Sequence, residues 1–124
     1  MSKPLLSARR AADGVLIADK IKTADSPWRQ IKGLIGTKSL DAGEGLWFPG
    51  TNSIHMMFMS MAIDVLFLSS PDEHGLRAVL ALRHSLPPWR GVVWWVRGAN
   101  GCVELEAGVL ARTGIAKGDL LSFA

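Results

Sequence analysis

A single cysteine, Cys102, stands among the 124 residues. That excludes an intramolecular disulfide and a Cys-rich zinc site, and nothing here asks for an oxidising compartment. Charge of one sign is also scarce: fourteen Lys and Arg face eleven Asp and Glu, a formal net charge of +3. Such a balance is too small for strong tracking of a phosphate backbone, so nucleic acid is disfavoured as a partner. Residues 1–20 lack the apolar core of a secretory signal, so the mature chain is expected to begin at Met1 or Ser2 and to be cytoplasmic. Gly45 to Ile63 carries no Lys, Arg, Asp or Glu, but Pro49, Gly50, Thr51, Asn52 and Ser53 sit inside it. A broken backbone facing lipid would leave amide groups without partners, so this span reads as two strands around a turn and no membrane segment is expected. No repeat, low-complexity tract or linker divides the chain. With 48% hydrophobic and 20% charged residues it has ordinary globular composition, and one domain over 1–124 is expected.

The patterning is mainly β. Gly14 to Lys20 alternates around Val15 and Ile17 and reads as an opening strand. One helix is expected near residues 26–36, where Ser26 can cap, Pro27 suits the first turn, and Trp28, Ile31 and Ile35 share a face. The apolar runs 46–48, 54–59, 63–68, 76–82, 92–96, 102–105 and 120–123 are then separated by turn chemistry such as Pro49-Gly50, Pro71-Asp72 and Gly118-Asp119. Asn100-Gly101 is the best single hairpin signal, because both residues tolerate positive φ. A short helical turn is expected near 107–113, ended by Gly114. Seven to eight short strands at this spacing predict a small β-sandwich or barrel.

Several pieces of the chain also resemble, in order, the signature of the family catalogued as domain of unknown function 192. They are Lys32-Gly33-Leu34-Ile35-Gly36, Gly43-Glu44-Gly45-Leu46, the stretch from Asn52 to Leu68 with its His55, Met57 and Ile63-Asp64-Val65, then Val103-Glu104-Leu105-Glu106-Ala107-Gly108, and Gly114 to Leu120. The chain departs from that pattern at Gln30 and Thr37, where Arg is usual, and at Met56, Ser60, Ala62 and Glu106. The resemblance implies a small β-sandwich-like domain of bacteria and archaea and implies no activity.

Four groups of residues invite a chemical reading. On a continuous strand His55, Met57, Met59 and Met61 share one face and Ile54, Met56 and Phe58 the other. Methionine filling gaps in a strand packed on both sides explains this run. A soft Cu(I) site of thioethers and imidazole is the alternative, but no Cys ligand lies nearby, so no metal and no cofactor is expected. Asp64 opens the apolar run Val65 to Leu68, and its carboxyl must be exposed, accept hydrogen bonds or meet a cation. It reads as a structural acid at the strand start, or as the orienter of His55 in a cleft. Ser53 lacks the strained elbow of a hydrolase nucleophile.

Glu104 and Glu106 share one strand face opposite Val103 and Leu105, and are expected to form a solvated face rather than the acid and base of a glycoside hydrolase. Cys102 reads as a small buried or edge residue with no basic neighbour to depress its pKa. Between Arg83 and Arg97 cations alternate with Trp89, Trp94 and Trp95, a pattern on which sugars or bases could stack. One indole of Trp94-Trp95 is expected in the core. The expected function is a non-catalytic module binding an unidentified small molecule or polymer segment at a cleft lined by His55, Met59, Asp64, Trp94 and Trp95. A hydrolase using His55 and Asp64, and a Trp/Arg interaction surface, are the alternatives. Whether the chain is an enzyme, and its oligomeric state, stay open at this point.

Overall fold

The computed structural model describes residues 4–23, 40–55, 62–87, 92–93 and 95–124, with backbone alone for 54–55 and 92–93. The helix expected at 26–36, and Met56 to Met61, Trp89 and Trp94, lie outside the described residues. The elements are β1 (Leu6–Arg10), β2 (Leu16–Thr23), β3 (Glu44–Pro49), β4 (Ile54–His55), β5 (Ile63–Leu68), β6 (Leu76–Leu86), β7 (Val92–Val93), β8 (Gly101–Glu106), α1 (Val109–Thr113) and β9 (Leu120–Phe123). Seven of the strands close into a barrel in the order β1-β2-β3-β8-β5-β6-β9, with β9 pairing back onto β1. The fold is mainly β, as the patterning predicts. All barrel pairs are antiparallel except β2–β3. Strands β4 and β7 form a separate two-stranded ribbon, Ile54 opposite Val93 and His55 opposite Val92.

Strand alternation divides the apolar residues into two clusters. One draws a buried residue from every barrel strand, including Ala8, Ile21, Trp47, Leu66, Val79, Val103 and Leu121, and so fills the interior. Val109 and Leu110 of α1 join it, so the helix closes one end of the barrel. The other cluster, Phe48, Ile63, Val65, Phe67, Leu86 and Cys102, takes the alternate residues of β3, β5 and β8 and therefore lies on the outer face of the β3–β8–β5–β6 sheet. Leu46, Ala81, Val96 and Ala99 pack against it. All six residues of β5 are buried in consequence, the continuous apolar run of a strand covered on both faces.

Two readings of the sequence need correction. Strand β1 carries little apolar signal in Leu-Ser-Ala-Arg-Arg, and pairing with β2 and β9 creates it. Asn100-Gly101 is not a hairpin turn: Gly101 begins β8, which pairs with β3 and β5, while the turn before it uses Gly98 at φ 82°. Gly101 is needed instead for close approach, since a Cβ there would overlap the Trp47 indole. That ring meets Phe123 edge-on at 4.9 Å and lies under the Arg77 guanidinium at 4.9 Å, with Arg77 also donating to the Ser69 carbonyl and to Asn100.

Candidate functional site

Among the described residues two carboxyl groups are buried, Asp64 and Glu104, and their surroundings are opposite. Asp64 is fully buried at the start of β5, on the inner side that also carries Leu66 and Leu68. Its Oδ1 accepts the Ser85 N–H at 2.8 Å, and its Oδ2 accepts the N–H groups of Gly108 at 3.0 Å and Leu110 at 2.9 Å. The need is local. Helix α1 has five residues, its N-cap Gly108 offers no side-chain cap, and the orphan amides of its first turn take their acceptor from a strand more than forty residues away. Ser85 lies where the β5–β6 register shifts, at φ 47°, and its amide bonds to Asp64 instead of the ladder. Asp64 is thus the structural acid at the strand start. Both of its oxygens are engaged by backbone inside the barrel end.

Glu104 sits at the middle of β8 on the outer sheet face, between Leu46 of β3 and Val65 of β5 and beside the buried Cys102. It is 5% exposed, and its Oε2 has no hydrogen-bond partner among the described residues. Burial pushes its carboxyl up to about 8, so it is largely protonated at neutral pH and offers an O–H donor. The solvated face expected of Glu104 and Glu106 is therefore wrong for Glu104. The Cys-Val-Glu-Leu-Glu alternation looks amphipathic, but the outer face of this sheet is covered. The signal available in the sequence was in β5, an apolar run that reads as covered on both faces. Glu106, two residues on, has a buried Oε2 lacking a hydrogen bond and lying 3.6 Å from Arg112 in a partly exposed pair. The Cys102 thiol is fully buried, and that burial raises its pKa well above the ordinary thiol value. It is an unreactive packing residue.

The remaining candidates fall around the ribbon. The backbone of His55 pairs with Val92, while the His55 side chain and all of Met59 and Trp94 lie outside the described residues. The imidazole–carboxyl pairing expected of His55 and Asp64 therefore also lies outside the described residues. Trp95 follows β7 with its indole 72% exposed and φ at 20°. Val96 then turns inward onto the outer cluster and donates its N–H to the Asn52 carbonyl at 2.7 Å, and Arg97 is exposed. This segment ties the ribbon to the sheet face that holds Glu104. Among the described residues no group of three or more His, Cys, Asp or Glu could hold a metal ion, and no helix is long and apolar enough to cross a membrane.

The geometry defines a class: a small closed β-barrel whose outer sheet face carries a second apolar cluster around a buried acid. The chain belongs to the DUF192 family, described as Uncharacterized ACR, whose model matches residues 8–123. No curated protein matches it. Among solved structures it is similar to a protein provisionally named a transcription regulator from Sinorhizobium meliloti, at 21% identity and TM-score 0.75, covering 95% of this chain and 91% of that one. A protein of unknown function from Novosphingobium aromaticivorans is similar at 19% identity and TM-score 0.76, covering 98% of this chain and 91% of that one. At these identities the likeness is one of fold.

Proposed function

We propose that this domain is a non-catalytic binding module that seats a small molecule, or a short segment of a polymer, at the margin of the outer face of the β3–β8–β5–β6 sheet, beside the buried Glu104 carboxyl. The observation that carries this reading is a carboxyl 5% exposed in an apolar face with one oxygen unpartnered among the described residues. An unmatched buried polar group costs about 1–3 kcal/mol, and such groups are retained where function outweighs stability. Phe48, Ile63, Val65 and Phe67 supply the apolar floor that small-molecule sites commonly have around a few polar anchors. In this reading His55, Met59, Trp94 and Trp95, which lie in or near the β4–β7 ribbon in sequence, are proposed as wall and rim residues. Asp64 acts only by positioning β6 and α1.

Hydrolysis through His55 and Asp64 is disfavoured, since an acid with both oxygens on backbone amides has no contact left for a substrate. The test is a thermal-shift panel of metabolites against the wild type, Glu104→Leu and His55→Ala. A binder at a hundredfold excess over its Kd stabilises by about 2.7 kcal/mol. The expected result is a binder whose shift disappears in Glu104→Leu and shrinks in His55→Ala. Shifts lost only in Trp95→Ala would move the site to the exposed indole, and turnover of ester, phosphate or glycoside substrates by the wild type would overturn the non-catalytic reading.

A further inference from the structure

We infer that the barrel end remote from α1 carries a site for a carboxylate, with the Arg77 guanidinium as its two-pronged donor and the Asn100 side-chain amide beside it. Strand β8 leaves this end at Gly101 and reaches α1 after Glu106, so the site is separate from the one proposed beside Glu104. Arg77 is held in place by its surroundings. Its guanidinium carbon lies over the Trp47 indole at 4.9 Å, and that ring is itself set against Gly101 and edge-on to Phe123. Its Nη1 donates to the Ser69 carbonyl at 3.0 Å and to Asn100 Oδ1 at 3.1 Å. Asn100 is anchored in turn, its N–H on the Leu68 carbonyl and its own carbonyl taken by the Gly50 N–H, both at 2.8 Å.

Both of these bonds fall on one nitrogen. Nε and Nη2 of Arg77 donate to no described residue, and the only buried side-chain N or O atoms left unpartnered among the described residues are glutamate oxygens, so this edge opens to solvent. Two parallel N–H groups on one edge match the two oxygens of a carboxylate. The same chain shows that match at Arg10, whose Nε and Nη2 hold the two oxygens of Asp13 at 3.0 Å each. Arg9 and Arg83 also leave the edge free, but they are exposed and tied by a single backbone carbonyl each, so a ligand would have to order them first. Arg77 is already ordered. Among the described residues no carboxylate pairs with it. In the neighbouring β5–β6 turn Asp72 accepts the His74 and Leu76 N–H groups, and Glu73 lies beside His74. Arg97, exposed three residues before Asn100, adds charge of the sign a carboxylate needs. Asn100 must turn its oxygen to Arg77, which leaves its Nδ2, without a partner among the described residues, as a further donor next to the guanidinium.

The test titrates the full chain at neutral pH with acetate, N-acetylglycinate, methyl acetate and chloride, and follows the Arg77 Nε–H and Trp47 indole N–H signals by NMR. Both carboxylates are expected to shift these signals to saturation with millimolar dissociation constants, whereas methyl acetate and chloride give no saturating shift. Binding of N-acetylglycinate about threefold or more tighter than acetate assigns the site to the end of a peptide chain, and equal binding assigns it to a free carboxylic acid. Arg77→Lys keeps the charge and loses the fork, so it should weaken both carboxylates about tenfold, and Asn100→Ala should weaken them about threefold. Should Arg77→Lys fail to fold, the wild-type titration and Asn100→Ala decide. Undiminished binding by Arg77→Lys, a saturating response to chloride equal to that of acetate, or no saturation in the wild type by about 100 mM carboxylate would overturn the site.

Discussion

Asp64 and Glu104 are both acids buried in one small barrel, and they differ in which side of the wall they occupy. On the inside, three backbone N–H groups converge on Asp64, and each has a structural reason to be there: a helix start without a cap, and a strand register that shifts. On the outside, Glu104 lies between Leu46 and Val65 with an oxygen that meets no donor. The first carboxyl completes the fold. The second adds nothing to it that a leucine would not, which is why the proposed site is drawn beside Glu104 and not Asp64.

The largest expected effect tests the inner acid. Asp64→Ala leaves one buried and two part-buried amides without their acceptor, and at about 1–3 kcal/mol each, the part-buried ones at the low end, it should cost about 3 kcal/mol or more in urea unfolding, or abolish folding. A loss under about 1 kcal/mol would break the contrast from the inside.

Next comes the pH dependence of the outer acid. A carboxyl raised from 4.5 in the unfolded chain to about 8 in the fold binds more protons folded than unfolded across that window. Its contribution is fully present below about pH 4.5, is lost as pH rises toward 8, and changes no further above that. At 1.36 kcal/mol for each pKa unit the loss is roughly 3–5 kcal/mol. Glu104→Gln should remove that slope and leave the variant more stable than the wild type at pH 8, as read by chemical unfolding at both pH values.

A smaller effect tests how full the interior is. Gly101→Ala places a methyl against the Trp47 ring and should cost about 1–3 kcal/mol by overpacking, seen as a lower melting temperature with unchanged pH slope. The smallest is Trp95→Ala. With the indole 72% exposed, stability should stay within about 0.5 kcal/mol of the wild type while binding at the rim weakens.

The architecture was legible because β5 and β9 follow their apolar runs residue for residue and because turn residues punctuate the chain. Strand β1 was not, since its burial comes from partners distant in sequence. At the site, the sequence allowed Asp64 its structural role, because a charged group ahead of four apolar residues must be satisfied. It misplaced Glu104 because alternation tells which side of a strand a residue takes and says nothing of what covers that side. Whether β8 is an edge or lies between β3 and β5 depends on pairings with residues some sixty and forty positions earlier, such as Glu104 with Leu46 and with Val65. The same ignorance made Asn100-Gly101 look like a turn, when the glycine answers to an indole from another strand.

The titration of one side chain tests the proposed anchor most directly. Carbon-13-edited NMR of the glutamate carboxyls, recorded from pH 3 to pH 10, should find one resonance with a midpoint near 8 that vanishes in Glu104→Gln. If every glutamate instead titrates in the ordinary range near pH 4–5, Glu104 is hydrated or paired in the free chain, and the anchor proposed for this face does not exist.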